Sequence, residues 1–147
     1  MKNIFHPLVE NPYRKKDIDA AVKVLKTNKI TIGLITNKFE NIFRKKLKTN
    51  FSLMVNSGSS ANLLALQCLI NPYRKQRLKR GDEVLIPSLC WSTSLWPIIQ
   101  SGLKPVFVDV DPGTLNLDLK DLKKKITKKT KALVLVHVLG NSTNMDE

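Results

Sequence analysis

Short, almost unbroken apolar runs recur along this chain, and each but the last is followed by a stretch with helical spacing. The runs at residues 51–55, 83–86, 105–110 and 132–138 read as four strands. Residues 61–70, 94–100 and 119–126 read as the helices between and after them. The runs VLIP, VFVDV and ALVLVHV lack the alternation of a sheet with one wet face, so they suit burial on both faces. The pattern predicts an α/β fold: three α/β/α layers around a mainly parallel sheet, with right-handed crossovers.

Two helices are expected ahead of this alternation. Residues 17–28 carry Ile18, Ala21, Val22 and Leu25 on one stripe, with Asp17 as a cap. Residues 29–37 read as a connector broken at Gly33. Residues 38–48 place Phe39, Ile42, Phe43 and Leu47 on one side. The division expected is an N-terminal helix and connector over residues 1–35, then one unit over 36–147. The last strand calls for a covering helix, so the chain is expected to be the N-terminal part of a longer enzyme.

Hydrophobic residues make up 42% and charged residues 25%, the balance of a globular chain rather than a disordered one. No apolar run approaches the roughly 20 residues of a bilayer span, and no secretory signal is read at the N-terminus. Cys68 and Cys90 form no CxxC pair and read as two small buried thiols in a reducing cytoplasm. The net charge of +13 invites an anionic partner. Yet 20 lysines against 5 arginines are spread along the chain. The one cluster, Lys123–Lys125 with Lys128, Lys129 and Lys131, reads as the wet face of a surface helix. Aromatics do not interleave with the basic runs as a single-strand reader requires, so neither nucleic acid nor membrane is expected as a partner. A small basic RNA-binding α/β module remains the alternative from another functional class.

Three segments can carry chemistry. In Val55-Asn56-Ser57-Gly58-Ser59-Ser60-Ala61-Asn62 a strand enters a turn of serine and glycine and a helix leaves it. Free N–H groups of the first helical turn, with hydroxyls beside them, form an anion site suited to phosphate. Ser57 or Ser59 can instead simply cap the helix. The turn is neither GxGxxG nor a Walker A sequence, which disfavours a dinucleotide or nucleoside triphosphate. After the second strand, Trp91 can stack on a flat heterocycle or pack as an ordinary aromatic, whereas Trp96 reads as core. Asp109 and Asp111 form an acid pair, but Asp111-Pro-Gly is good turn chemistry and the turn is favoured; no metal is expected. His137, at the end of the fourth strand, is a catalytic candidate or a hydrogen-bonded structural residue.

These segments, in this order, resemble the DegT/StrS sugar aminotransferases, which have the aspartate-aminotransferase type of pyridoxal-phosphate fold. The matching stretches are Gly33 with Phe39-Glu40, NSGSSANLLAL, GDEVLIPSLCWSTS, GLKPVFVDVDPGTLNLD and TKALVLVHVLGNSTNMD. The resemblance runs from roughly residue 10 to the end and implies that residues 36–147 are an incomplete cofactor-binding large domain. It implies pyridoxal 5′-phosphate or pyridoxamine 5′-phosphate as cofactor, with Ser59 and Ser60 at its phosphate, Gly58 permitting close approach, and Trp91 stacked on its ring. It also implies that the lysine which holds the cofactor covalently, and the aspartate facing its ring nitrogen, lie beyond residue 147. By that reading no catalytic residue falls inside the chain, which would be inactive alone.

The activity implied first is amino transfer, from a donor such as glutamate to a nucleotide-linked keto sugar. A cytoplasmic homodimer serving polysaccharide, lipopolysaccharide or deoxysugar synthesis is implied with it. Three features are similar instead to the branch that removes the 3-hydroxyl from a CDP-linked 4-keto-6-deoxyhexose: NSGSSANLL, the long NPYRKQRLKRG connection, and HVLGN. Trp91 points back to the aminotransferases. The two branches differ at one position beyond residue 147, a lysine in one and a histidine in the other.

Overall fold

A computed structural model describes residues 9–31 and 33–147 of the chain. They fall into two compact units that part between Met54 and Val55.

In the first unit, α1 (Lys15–Leu25) and α2 (Leu34–Leu47) have no buried residue. Asp17 is not the cap of α1 but its third residue: its carboxylate accepts the backbone N–H of Arg14 at 3.0 Å. An acid serves there because it faces the unpaired amides of the first turn. Gly33 does break the chain, but helix resumes at once, so α2 starts four residues before the predicted 38. The rings of Phe39 and Phe43 stack with centroids 5.5 Å apart. Glu40 accepts the N–H of Met54 at 2.7 Å.

The second unit is an α/β sandwich around a parallel sheet of three strands: β1 (Glu83–Pro87), β2 (Lys104–Val108) and β3 (Thr130–Leu133), in the order β2-β1-β3. Central β1 is buried along its whole length, which is why it reads as an unbroken apolar run. Its side chains alternate between two cores. Val84 and Ile86 meet Leu66 of α3 (Gly58–Ile70), Ile98 of α4 (Ser92–Gln100) and Leu103. Leu85 meets Val108, Leu117 and the apolar side of α5 (Leu119–Lys125). Helices thus cover both faces. The crossover through α4 runs from β1 to β2, and that through α5 runs back across the sheet to β3. Crossovers of one hand that run in opposite directions must lie on opposite faces, as these do.

Five further expectations need correction. Residues 51–55 are not a strand: Phe51 is 89% exposed, and among the described residues no strand offers that run a ladder. An apolar run becomes a strand only with a paired neighbour. The third predicted strand, 105–110, ends at Val108, beyond which Val110 makes one antiparallel bridge to Leu117. The last strand ends at Leu133, although the Val134 N–H still bonds the Leu85 carbonyl at 2.8 Å. Trp96 is 53% exposed rather than core, because α4 turns Pro97 and Ile98 inward instead. Cys68 is likewise exposed, while Cys90 is half-buried.

Candidate functional site

At the carboxyl end of the sheet, adjacent strands send the chain to opposite faces: β1 leads to α4 and β2 to α5. A divergence of this kind marks the place where open α/β sheets receive ligands. The loop after β1 carries Trp91 at this end of the sheet. Cys90 packs against the first core, where burial pushes its thiol pKa up, and it anchors the loop. Trp91, next in the chain, is the N-cap of α4 and is 80% exposed. An anchored residue followed by a free indole leaves a flat aromatic surface open to a ligand.

The serine turn lies at the start of α3. Ser57 has extended backbone and caps the helix: its Oγ accepts the N–H of Ser60 at 3.2 Å, and its carbonyl accepts the N–H of Ala61. The Ser57 hydroxyl donates to Ser60 Oγ at 3.2 Å. The N–H groups of Gly58 and Ser59 therefore have no partner among the described residues, as expected for the first two amides of a capped helix. The exposed Ser59 hydroxyl makes no hydrogen bond among the described residues. A Cβ on Gly58 would meet nothing within 4 Å, so the space before the turn is open. Ser57 therefore does the capping, and the amides of Gly58 and Ser59 are not used by it.

The two pieces are joined. Asn62, one turn into α3, donates from its side-chain amide to the carbonyl of Thr93 at 3.3 Å, two residues after Trp91. Sequence reading missed Asn62, because its partner is a backbone carbonyl 31 residues away with no side-chain signature.

The other candidates take structural positions. Asp111 Oδ1 accepts both the N–H and the hydroxyl of Thr114, at 2.9 and 3.1 Å, which is the favoured turn. Asp109 accepts the N–H of Val110, and the N–H of Asp109 itself bonds Asp121. That bond, and next Lys125, hold the Asp121 carboxyl below its ordinary pKa. His137 lies beyond β3 and is exposed, and its Nδ1 accepts the N–H of Thr143 at 3.2 Å. Asn116, also missed, is 3% exposed; it donates to the Asn141 carbonyl at 3.0 Å and accepts the Val138 N–H at 3.1 Å. It clamps the turn that follows His137. A cavity of about 240 Å³ lies beside this clamp, lined by Asp111, Asn116 and Thr143 among others but not by the serine turn or Trp91. Of the lysine cluster, Lys125 pairs with Asp121 at 2.7 Å and Lys123 with Glu147 at 3.0 Å, while Leu119 and Leu122 of the same helix face the second core. Among the described residues no helix is long and apolar enough to cross a membrane.

A model of the DegT/DnrJ/EryC1/StrS aminotransferase family matches residues 12–147. The chain is 41% identical over 140 residues to GDP-4-keto-6-deoxy-D-mannose 3-dehydratase of Yersinia pseudotuberculosis, covering 95% of this chain and 35% of that protein. It is 35% identical to GDP-perosamine synthase of Escherichia coli O157:H7, covering 78% of this chain and 30% of that protein. A solved structure of the E. coli GDP-4-keto-6-deoxy-D-mannose 3-dehydratase with bound hydrated PLP superposes with a TM-score of 0.89 at 39% identity, over 97% of this chain and 36% of that one. The chain spans about a third of the length of the proteins it matches.

Proposed function

The chain belongs to the DegT/DnrJ/EryC1/StrS aminotransferase family, whose members depend on pyridoxal phosphate, and from that premise we propose that the complete protein uses this coenzyme to remove the 3-hydroxyl of a nucleotide-linked 4-keto-6-deoxy sugar. One observation carries the cofactor part of this reading. The N–H groups of Gly58 and Ser59 and the Ser59 hydroxyl have no partner among the described residues, a Cβ on Gly58 would meet nothing within 4 Å, and the Asn62–Thr93 bond ties this helix to the one that the exposed Trp91 precedes. Those donors suit a phosphate group, and the indole suits an aromatic ring.

In this reading the N–H groups of Gly58 and Ser59, with the hydroxyls of Ser59 and Ser60, hold the phosphate. Ser57 keeps the turn in shape. Trp91 covers one face of the ring and keeps water from it. When bound, the coenzyme supplies an electron sink for charge that develops beside a carbonyl carbon. Glutamate as amino donor, a homodimer, a cytoplasmic site and a role in cell-surface polysaccharide or lipopolysaccharide synthesis belong to the same proposal.

Dehydration leads over amino transfer for a specific reason. Identity is higher to the named 3-dehydratase than to the named perosamine synthase, 41% against 35%. The NSGSSANLL turn, the long NPYRKQRLKRG connection and HVLGN point the same way. Amino transfer to the 4-keto carbon is the second reading, favoured by Trp91 and built on the same site. The test is to incubate the complete protein with coenzyme, glutamate and GDP-4-keto-6-deoxymannose and to read the product by mass spectrometry. A sugar lacking the 3-hydroxyl supports dehydration. A 4-amino sugar supports the second reading, and unchanged substrate with every nucleotide sugar tried counts against both.

A further inference from the structure

Resting on that reading, we infer that Asn62 is a positioning residue which fixes the spacing between the phosphate turn and the Trp91 platform. The argument begins with the ligand's shape. A phosphorylated pyridine has its phosphate and ring joined by a short tether, so it can use both half-sites at full strength only when they stand at one separation. The half-sites belong to different helices, at the N-terminal ends of α3 and α4. Packing of α3 against α4 through Leu66, Leu95 and Ile98 lies deeper in the helices and leaves their N-terminal ends to be fixed locally.

Asn62 provides that link. It sits four residues after Gly58, and its amide bonds the Thr93 carbonyl at 3.3 Å, two residues after Trp91. Thr93 lies in the first turn of α4, so its position follows the helix end, and its carbonyl has no i+4 helical donor because residue 97 is proline, which leaves it for the Asn62 amide. A side-chain donor to that carbonyl ties the two ends directly. Asn62 itself is exposed and lies outside both cores, so its function is local rather than a matter of folding.

A link of this kind predicts a distinctive energetic pattern. Two half-sites held at a fixed distance bind a two-part ligand better than either part by an effective concentration, and loosening the link lowers that factor without altering either half-site. The experiment uses the complete protein and 4′-deoxypyridoxine 5′-phosphate, which carries ring and phosphate but no aldehyde for a lysine to capture. Dissociation constants for it, for 4′-deoxypyridoxine and for inorganic phosphate are measured in wild type, Asn62→Ala and Asn62→Asp. The affinity of the whole ligand should fall about threefold to tenfold in both variants, as expected for one lost hydrogen bond, while the two partial ligands change less than about twofold. Thermal midpoints of the cofactor-free proteins should stay close to wild type. An unchanged affinity for the whole ligand overturns the inference, and so does an equal loss for its parts, which marks a general structural defect. Failure of the wild type to bind the whole ligand overturns the coenzyme reading itself and is distinct from either result.

Discussion

Ser57 Oγ accepts the N–H of Ser60 at 3.2 Å, which takes one amide out of the first turn of α3 and leaves those of Gly58 and Ser59 uncapped, as the proposed phosphate site requires. The two functions of the turn can therefore be separated by substitution. Ser57→Ala removes the cap and should lower stability by about 1 kcal/mol, read as a shift in urea midpoint. Gly58→Ala should leave the cofactor-free fold as stable as wild type or more so, because its Cβ meets nothing within 4 Å. It should instead lower coenzyme affinity roughly tenfold or more in an equilibrium titration, since the methyl group enters the space a phosphate needs. Wild-type affinity in the Gly58→Ala protein would remove Gly58 from the site.

Trp91 is 80% exposed, so its truncation removes little packing. Trp91→Ala should move the thermal midpoint of the cofactor-free protein by no more than about 2 °C, within about 0.5 kcal/mol. Coenzyme affinity should fall by about 1 kcal/mol, the worth of one aromatic stacking contact. Loss of the coenzyme-induced quenching of tryptophan fluorescence should accompany it. Quenching that survives in the variant would assign the effect to Trp96.

Asn116 makes both its bonds from a buried position, to the carbonyl of Asn141 and from the N–H of Val138. Asn116→Ala strands two backbone groups and should cost about 1–3 kcal/mol in chemical denaturation. Asn116→Asp keeps the acceptor for Val138 but loses the donor to Asn141, and should cost nearly as much. A neutral effect of Asn116→Ala would show that water replaces the clamp.

Glu83 opens β1 and accepts the Thr127 hydroxyl at 2.7 Å, with Lys104 at 3.3 Å. The Thr127 bond first, and Lys104 after it, hold the carboxyl below its ordinary value of 4.5. A carboxyl lowered in the folded state contributes stability above its unfolded pKa and loses it as pH falls through the folded value. Stability should therefore decline below about pH 4.5. Thr127→Val should lower stability at neutral pH and flatten that decline. Parallel pH profiles in the two proteins would place the acid sensitivity elsewhere.

The alternation of strands and helices was legible because the interior of β1 is buried on both faces and so carries no polar residue to interrupt its pattern. The serine turn was legible because a helix start needs a cap and small residues. Residues 51–55 misled because apolar character does not by itself supply a paired neighbour, and Trp96 misled because adjacent residues on a helix point about 100° apart, so Pro97 and Ile98 can be buried while Trp96 is not. Asn62 and Asn116 stayed hidden for a common reason: each bonds backbone groups far along the chain, and backbone partners leave no trace in residue identity.

The central claim is that the turn at residues 57–60 and the indole of Trp91 together hold pyridoxal phosphate. Its most direct test is the visible absorption of the complete protein after reconstitution with the coenzyme and gel filtration, compared with a Ser59→Ala, Trp91→Ala protein whose circular dichroism matches wild type. The predicted result is a pyridoxal band that the wild type retains and the variant loses. A wild type without the band, or a variant that keeps it in full, would contradict the account.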